Sequence, residues 1–198
     1  NSGGYAFLKQ ELVNLTKKYD SHVLCDLGCG EGHYTSGFQA EEKYGFDMSK
    51  EALKHASKND PSTQYAVASI FRLPLEDASC DTAVTCFAPF AKDEIERVLT
   101  QGGRFFFVSP GPKHLFELKQ LIYDTPYENE MKDLETTLVK EEEYFISNTF
   151  HCEKENLISL FKMTPYYHRT RNEDIDKINH QDGMDITAEF LIRVYQKR

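Results

Sequence analysis

The chain has 198 residues, with 23 Lys and Arg against 32 Asp and Glu, for a formal net charge of −9. With 40% hydrophobic and 13% aromatic residues it can bury a sizeable core, so global disorder is excluded and the length favours one domain. No run of about 18 apolar residues predicts a membrane helix, no basic-then-apolar opening predicts a signal peptide, and the acidic balance argues against nucleic-acid binding by charge alone.

In chain order, residues 5–18 come first and place Phe7, Leu8, Leu12 and Leu15 at helical spacing, which predicts an amphipathic helix. His22–Cys25 is a short apolar run and a buried strand, succeeded by the glycine-rich turn DLGCGEG over 26–32. A helix is expected to open between His33 and Ala40. Lys43–Phe46 reads as a second strand ending at Asp47, and Ser49 as the N-cap of a helix from Lys50 to about Ser57. Gln64–Val67 and Asp81–Phe87 are strands, Lys92–Leu99 a helix, Gln101–Gly103 a turn, and Arg104–Val108 a fifth strand. A helix is expected over His114–Tyr123, and an acid-rich loop or exposed helix over 124–142. Glu143–His151 and Asp185–Gln196 read as late strands flanking a helix at Lys154–Lys162. This alternation predicts an α/β domain with a mostly parallel sheet, closed by an antiparallel C-terminal hairpin.

The cysteines are Cys25, Cys29, Cys80, Cys86 and Cys152. An odd count without a dense framework predicts reduced thiols and a cytoplasmic location. Cys25 and Cys29 lack a second Cys/His pair at zinc-ribbon spacing, so no metal site is expected. The chain opens on Asn1 rather than Met, which predicts a further segment upstream.

The sharpest chemical signal is Asp26-Leu27-Gly28-Cys29-Gly30-Glu31-Gly32 directly after the first strand. Glycines there let backbone approach a ligand. Asp47 lies about 20 residues after the first glycine, where an acid accepts both ribose hydroxyls. A dinucleotide loop spaces its glycines G-x-G-x-x-G to admit a pyrophosphate. Here the spacing is G-x-G-x-G, and Asp26 would repel a pyrophosphate but suit an ammonium. S-adenosylmethionine carries both an adenosine and an ammonium, and D-x-G-x-G-x-G with a ribose acid matches the class I methyltransferase motifs. Cys29 reads as a small filler rather than a nucleophile. Met48 and Phe71 pack either on adenine or in the core, Ser69 is the expected adenine contact, and Glu31 is either a helix-start charge or a contact to the methionine end.

Beyond this loop, DLGCGEGHYT (26–35), GFDMSKEALKHA (45–56), ASIFRLPLEDASCD (68–81), FAPFAKDEIERVL (87–99), SPGPKHLFELKQLIYD (109–124) and MTPYYHR (163–169) carry a more specific likeness. The chain resembles the bacterial large-subunit (23S) rRNA (guanine-N1)-methyltransferases over nearly its whole length. The resemblance implies a class I, Rossmann-like fold of seven strands over 1–198, with 1–20 as a helical segment covering the cofactor and 110–185 as substrate-side elaborations. It implies that Tyr5 covers the cofactor, that Gly30 and Glu31 contact it, and that His114 lies on the cofactor side. The substrate implied is a 23S rRNA hairpin and the product S-adenosylhomocysteine, and a homodimer is compatible with the likeness. Relatives carry an N-terminal zinc-binding domain that is expected upstream and has no counterpart here, and Gln101 replaces the usual proline before Gly-Gly.

Residues after the fourth strand line the target pocket in such folds. Here they are Phe87-Ala88-Pro89-Phe90, without the Asp/Asn-Pro-Pro pattern of many amino-directed enzymes. Phe87 or Phe90 is expected to stack the base, with Pro89 beside it. Asp93, Glu94 and His168 are candidates for a general base, and none is assigned. Lys113, Lys119, Arg169, Arg171 and the Tyr166–Arg169 run are candidate RNA contacts. A small-molecule methyltransferase, favoured by the acidic charge, and a non-catalytic cofactor-binding module are the competing readings.

Overall fold

The computed structural model describes residues 3–164 and 167–198, with His168 described by its backbone only. In chain order the elements are α1 (Ala6–Lys18), β1 (Val23–Leu27), β2 (Glu42–Asp47), α2 (Lys50–Asn59), β3 (Gln64–Val67), β4 (Cys80–Cys86), α3 (Lys92–Val98), β5 (Leu99–Pro110), α4 (Phe116–Ile122), β6 (Val139–Glu153), α5 (Lys154–Lys162), α6 (Asn172–Asn179) and β7 (Gly183–Gln196). Seven strands form one sheet in the order β3-β2-β1-β4-β5-β7-β6.

β1 pairs in parallel with β2 and β4, β2 with β3, and β4 with β5. β7 runs against β5: Gly102 N–H donates to Lys197 O at 2.8 Å, Lys197 N–H returns to Gly103 O at 2.9 Å, and Gly111 N–H meets Glu189 O at 2.8 Å. The strand order reverses between β1 and β4. At such a switch point two neighbouring crossovers leave on opposite faces, and a crevice opens at the carboxyl ends of the strands.

Two compact units are distinguished. The larger comprises residues 7–109, 132–144 and 191–198. Its central strands β1 and β4 are largely buried, whereas β2 and β3 toward the sheet edge carry polar, exposed residues. Cys25, Leu27, Phe46, Ala83, Ile95, Leu99 and Phe105 form one buried cluster. The smaller comprises the residues up to Ala6, 110–131 and 145–190. It has a core of its own, where Leu118 and Ile122 of α4, Leu157 and Phe161 of α5, and Ile178 of α6 pack together. β6 and β7 give residues to both units. No helix among the described residues is long and apolar enough to cross a membrane.

The expected α/β order holds, with four local differences. No helix opens after His33; only Thr35–Gly37 forms a 3-10 turn, and Phe38 returns to extended backbone. Thr, Ser and Gly are poor helix formers, and the Thr35 hydroxyl bonds a buried acid instead of staying free. The Gln101–Gly103 turn is absorbed into β5, whose pairing with β4 shifts register between Cys80 and Thr82, with Gly102 at φ +80. α4 starts at Phe116, after Leu115 in the left-handed region at φ 53. α6 has no counterpart among the expected elements.

Candidate active site

Asp26 is the next-to-last residue of β1, a strand buried on both faces, and its side chain is sealed with it at 2% exposure. Its Oδ2 accepts the Thr35 hydroxyl at 2.6 Å. Burial pushes this carboxyl up to about 7; the Thr35 bond opposes that rise and the nearby Asp47 charge adds to it. A cation placed beside it would favour the ionised form.

Past Leu27 the chain folds onto the end of β2. Gly28 and Cys29 N–H both donate to Phe46 O, at 2.8 and 3.1 Å. Gly30 N–H donates to Asp47 Oδ2 at 2.9 Å, and Ser49 N–H to Asp47 Oδ1 at 2.8 Å. Asp47 thus ties the glycine loop to the start of α2, where Ser49 caps Ala52 N–H as expected. Each carboxylate oxygen keeps a further lone pair for an outside donor.

Two glycines are required here. Gly28 has φ +80, and a Cβ on it would stand 2.7 Å from the Ala88 Cβ, so the exits of β1 and β4 pass in close contact. Gly30 has φ +54, and a Cβ on it would meet nothing within 4 Å; it would fill the open space beside Asp47. Gly32 N–H closes the loop on Cys29 O at 2.9 Å. Burial raises the Cys29 thiol, with Asp26 and Asp47 adding to the rise, which fits a filler rather than a nucleophile. Glu31 is exposed.

Gly28, Asp47, Met48, Ser69, Ile70, Phe71, Cys86, Phe87, Ala88 and Pro89 line a cleft of about 350 Å³. Pockets for small ligands span about 300–1,000 Å³. Met48 is 73% and Phe71 62% exposed, apolar surface suited to an adenine. Ser69 Oγ accepts Phe71 N–H at 3.3 Å. The cleft lining fits S-adenosylmethionine, with Asp47 able to accept ribose hydroxyls and Met48, Ser69 and Phe71 able to flank the ring, whereas Asp26 is sealed beneath the surface and does not line the cleft. The lining residues do not fit a pyrophosphate, which would face the Asp47 carboxylate.

On the other wall, Phe87 succeeds β4 at φ +66, a conformation costing a bulky residue about 1–2 kcal/mol. Its N–H holds Val108 O at 3.1 Å, and its ring stays 43% exposed. The Tyr34 ring meets it edge-on, with centroids 6.2 Å apart. Tyr34 lies in the segment expected to be helical, and no periodicity in the sequence marks it. Phe90 turns away and stacks on Phe105 at 5.7 Å in the core, so only Phe87 and Pro89 of this pair of Phe and its proline line the cleft.

Glu94 is not free to act as a base. It accepts Leu73 N–H at 2.6 Å and the Arg97 fork at 2.8 Å. Asp93 is exposed on the first turn of α3. Tyr166 and the His168 side chain lie outside the described residues. Lys119, expected to face RNA, is fully buried and donates to Tyr127 O at 3.0 Å and Asn129 Oδ1 at 2.7 Å. Lys113 and Arg169 are exposed, and Arg171 pairs with Asp174 at 3.2 Å.

Tyr5 and His114 belong to the smaller unit and meet each other, Tyr5 OH to His114 Nε2 at 3.3 Å. Glu189 N–H donates to His114 Nδ1 at 3.3 Å, so the proton of a neutral ring sits on Nε2 and Tyr5 accepts it. Burial holds His114 neutral, down to about 4, and pushes the Tyr5 phenol up to about 12. Among the described residues no three His, Cys, Asp or Glu side chains gather as metal ligands.

A family described as a methyltransferase domain matches residues 25–107, the stretch from β1 to β5. A Bacillus subtilis protein provisionally named 23S rRNA (guanine-N1)-methyltransferase YxjB is 28% identical over 94% of this chain and 71% of its own length. A Streptomyces fradiae protein named 23S rRNA (guanine(748)-N1)-methyltransferase is 34% identical over 60% of this chain, and the match spans 45% of that relative. A Yersinia pestis malonyl-[acyl-carrier protein] O-methyltransferase is 28% identical over 55% of this chain and 44% of its own length. In fold, a crystal structure from Bacillus halodurans, provisionally described as a methyltransferase, covers 95% of this chain at a TM-score of 0.66 and 16% identity, with 99% of its own chain covered. Residues 25–107 match a methyltransferase-domain family, and sheet order and relatives agree on the class I, S-adenosylmethionine-dependent methyltransferase fold.

Proposed function

We propose that this protein transfers a methyl group to N1 of a guanine in a 23S rRNA hairpin. The observation that carries the reading is the pairing, across one cleft, of the Asp47-anchored glycine loop with a wall made of Phe87 and Pro89 and no acid or amide. An exocyclic amine offers two protons to hydrogen-bond acceptors, and this wall supplies no side-chain acceptor for them. A ring nitrogen needs instead a flat platform that fixes its plane. The names of the relatives over most of the chain favour guanine N1 in rRNA.

When bound, S-adenosylmethionine supplies an electrophilic methyl on sulfonium. Asp26, once ionised, favours positive charge nearby from beneath the surface, without lining the cleft. Asp47 accepts the ribose hydroxyls. Phe87, propped by Tyr34, stacks the guanine after it leaves its helix, and Pro89 narrows the space around it. Alignment and exclusion of water then supply much of the rate. The N1 proton leaves to solvent or to an acceptor brought by the RNA. In this reading the enzyme works in the cytoplasm, and a homodimer is compatible with it.

The test is transfer of labelled methyl to 23S rRNA that lacks its native methylation, beside a metabolite extract as a competing acceptor. Label in rRNA is the expected result. Label confined to small molecules would replace this function with the small-molecule one.

A further inference from the structure

Residues 68–79 connect β3 to β4 without a regular element, yet their first part lines the cleft. A lone bridge between Ser69 and Arg72 closes the tip, with Arg72 N–H on Ser69 O at 3.0 Å. The stretch from Leu73 to Asp77 is bound to α3. Leu73 N–H donates to Glu94 Oε2 at 2.6 Å. Arg97 grips both oxygens of Glu94, Nε and Nη2 each at 2.8 Å. Its Nη1 donates to Leu75 O and to Asp77 Oδ1 at 2.8 Å, and its Nη2 reaches Leu73 O at 3.3 Å. Glu94 and Arg97 side chains are 15% and 28% exposed, so water competes weakly for the fork. A bidentate pair of this kind fixes direction as well as distance.

The same helix begins three residues after Pro89. α3 is therefore tied by the chain to the target wall and by hydrogen bonds to the Leu73–Asp77 stretch that follows the cleft residues Ser69–Phe71. Were Asp47 to accept the ribose, as proposed above, Met48, Ser69 and Phe71 would be the lining residues that hold the adenine.

We propose that Glu94 and Arg97 are positioning residues for the cofactor, holding Ser69–Phe71 in the conformation that encloses its adenine without touching it. The proposal rests on the cleft being the S-adenosylmethionine site. A pair that only stabilised the fold would weaken every ligand of the site alike. A pair that shapes the adenine end weakens only ligands that carry adenine.

The experiment compares S-adenosylhomocysteine with S-ribosylhomocysteine, the same molecule without adenine, by competition against labelled S-adenosylmethionine. Wild type is expected to prefer the adenine-bearing ligand. Arg97→Met is expected to weaken S-adenosylhomocysteine about tenfold, the scale of one or two lost hydrogen bonds, while S-ribosylhomocysteine changes less than about twofold. Glu94→Gln keeps an acceptor for Leu73 N–H and is expected to fall between wild type and Glu94→Ala. Should Arg97→Met fail to fold, Arg97→Lys keeps the charge but not the fork, and the same ratio is read. An unchanged preference in folded variants would overturn the proposal. A wild type that binds neither ligand would overturn the cofactor reading and the proposal with it.

Discussion

β1 and β4 end side by side at the switch point, and the chain leaves them under different constraints. The exit from β1 is held by polar bonds: two N–H groups on Phe46 O, one on Asp47, and the Thr35 hydroxyl on Asp26. The exit from β4 is held by a backbone bond to Val108 and by ring packing, with Phe87 kept at φ +66. A loop fixed by directed bonds can present charges and amides to a ligand whose shape never changes. A strained, exposed ring suits a partner that arrives, stacks and leaves. Backbone strain is retained where surrounding contacts over-determine it, and such places are candidates for function.

The largest expected effect breaks the polar exit. Asp47→Ala removes the acceptor of Gly30 and Ser49 N–H and, in the proposed reading, that of the ribose. Binding of S-adenosylhomocysteine, measured by calorimetry, is expected to fall by about 100-fold or more, the scale of lost hydrogen bonds to a charged group.

The next effect is read with pH. Asp26 holds its proton to about 7, and a bound ammonium favours the ionised form. Cofactor affinity should therefore drop as pH falls through about 7, and Asp26→Asn should flatten that dependence while weakening binding. Stability carries the opposite sign. The native carboxyl binds its proton more tightly than the unfolded one at about 3.9, so this group favours folding below that value. Its contribution fades as pH rises through about 7. Denaturant midpoints of wild type and Asp26→Asn across this window check the sign.

Breaking the apolar exit should separate binding from turnover. Phe87→Ala is expected to leave S-adenosylhomocysteine affinity within about twofold while methyl transfer falls about tenfold to a hundredfold, the range of one base-stacking contact. Tyr34→Leu, which removes only the prop, should lower transfer by a few-fold, in keeping with about 0.5–1.5 kcal/mol for an aromatic pair. Equal loss of cofactor binding in either variant would erase the distinction between the two exits.

The same contrast governs which features were legible in the amino-acid order alone. That the glycine loop after β1 and Asp47 at the end of β2 come together was legible from their spacing at adjacent strand ends. Ser49 was legible as a cap, and β3 and α5 fall at their expected bounds. Tyr34 and Thr35 were not, since the helix expected there would have turned them by periodicity, whereas a hydroxyl bond to a buried acid decides the local path. Glu94 was one of three candidate bases in the sequence, none assigned, and the structure engages it with Arg97 and Leu73. The spacing of Glu94 to Arg97 was visible, but the Leu73 amide that completes the clamp comes from a loop no pattern places. Phe90 and Phe87 are alike in sequence, and only packing on Phe105 separates the core ring from the exposed one.

The central claim is that the cleft methylates a guanine ring nitrogen in rRNA. The most direct measurement is primer extension on 23S rRNA treated with this protein and S-adenosylmethionine, because a methyl on guanine N1 blocks the pairing edge and stops the copying enzyme. The account predicts one new stop at a guanine in a hairpin, absent with Asp47→Ala and weakened with Phe87→Ala. Methyl incorporation into the RNA without such a stop, or no incorporation by a protein that binds S-adenosylhomocysteine, would contradict it.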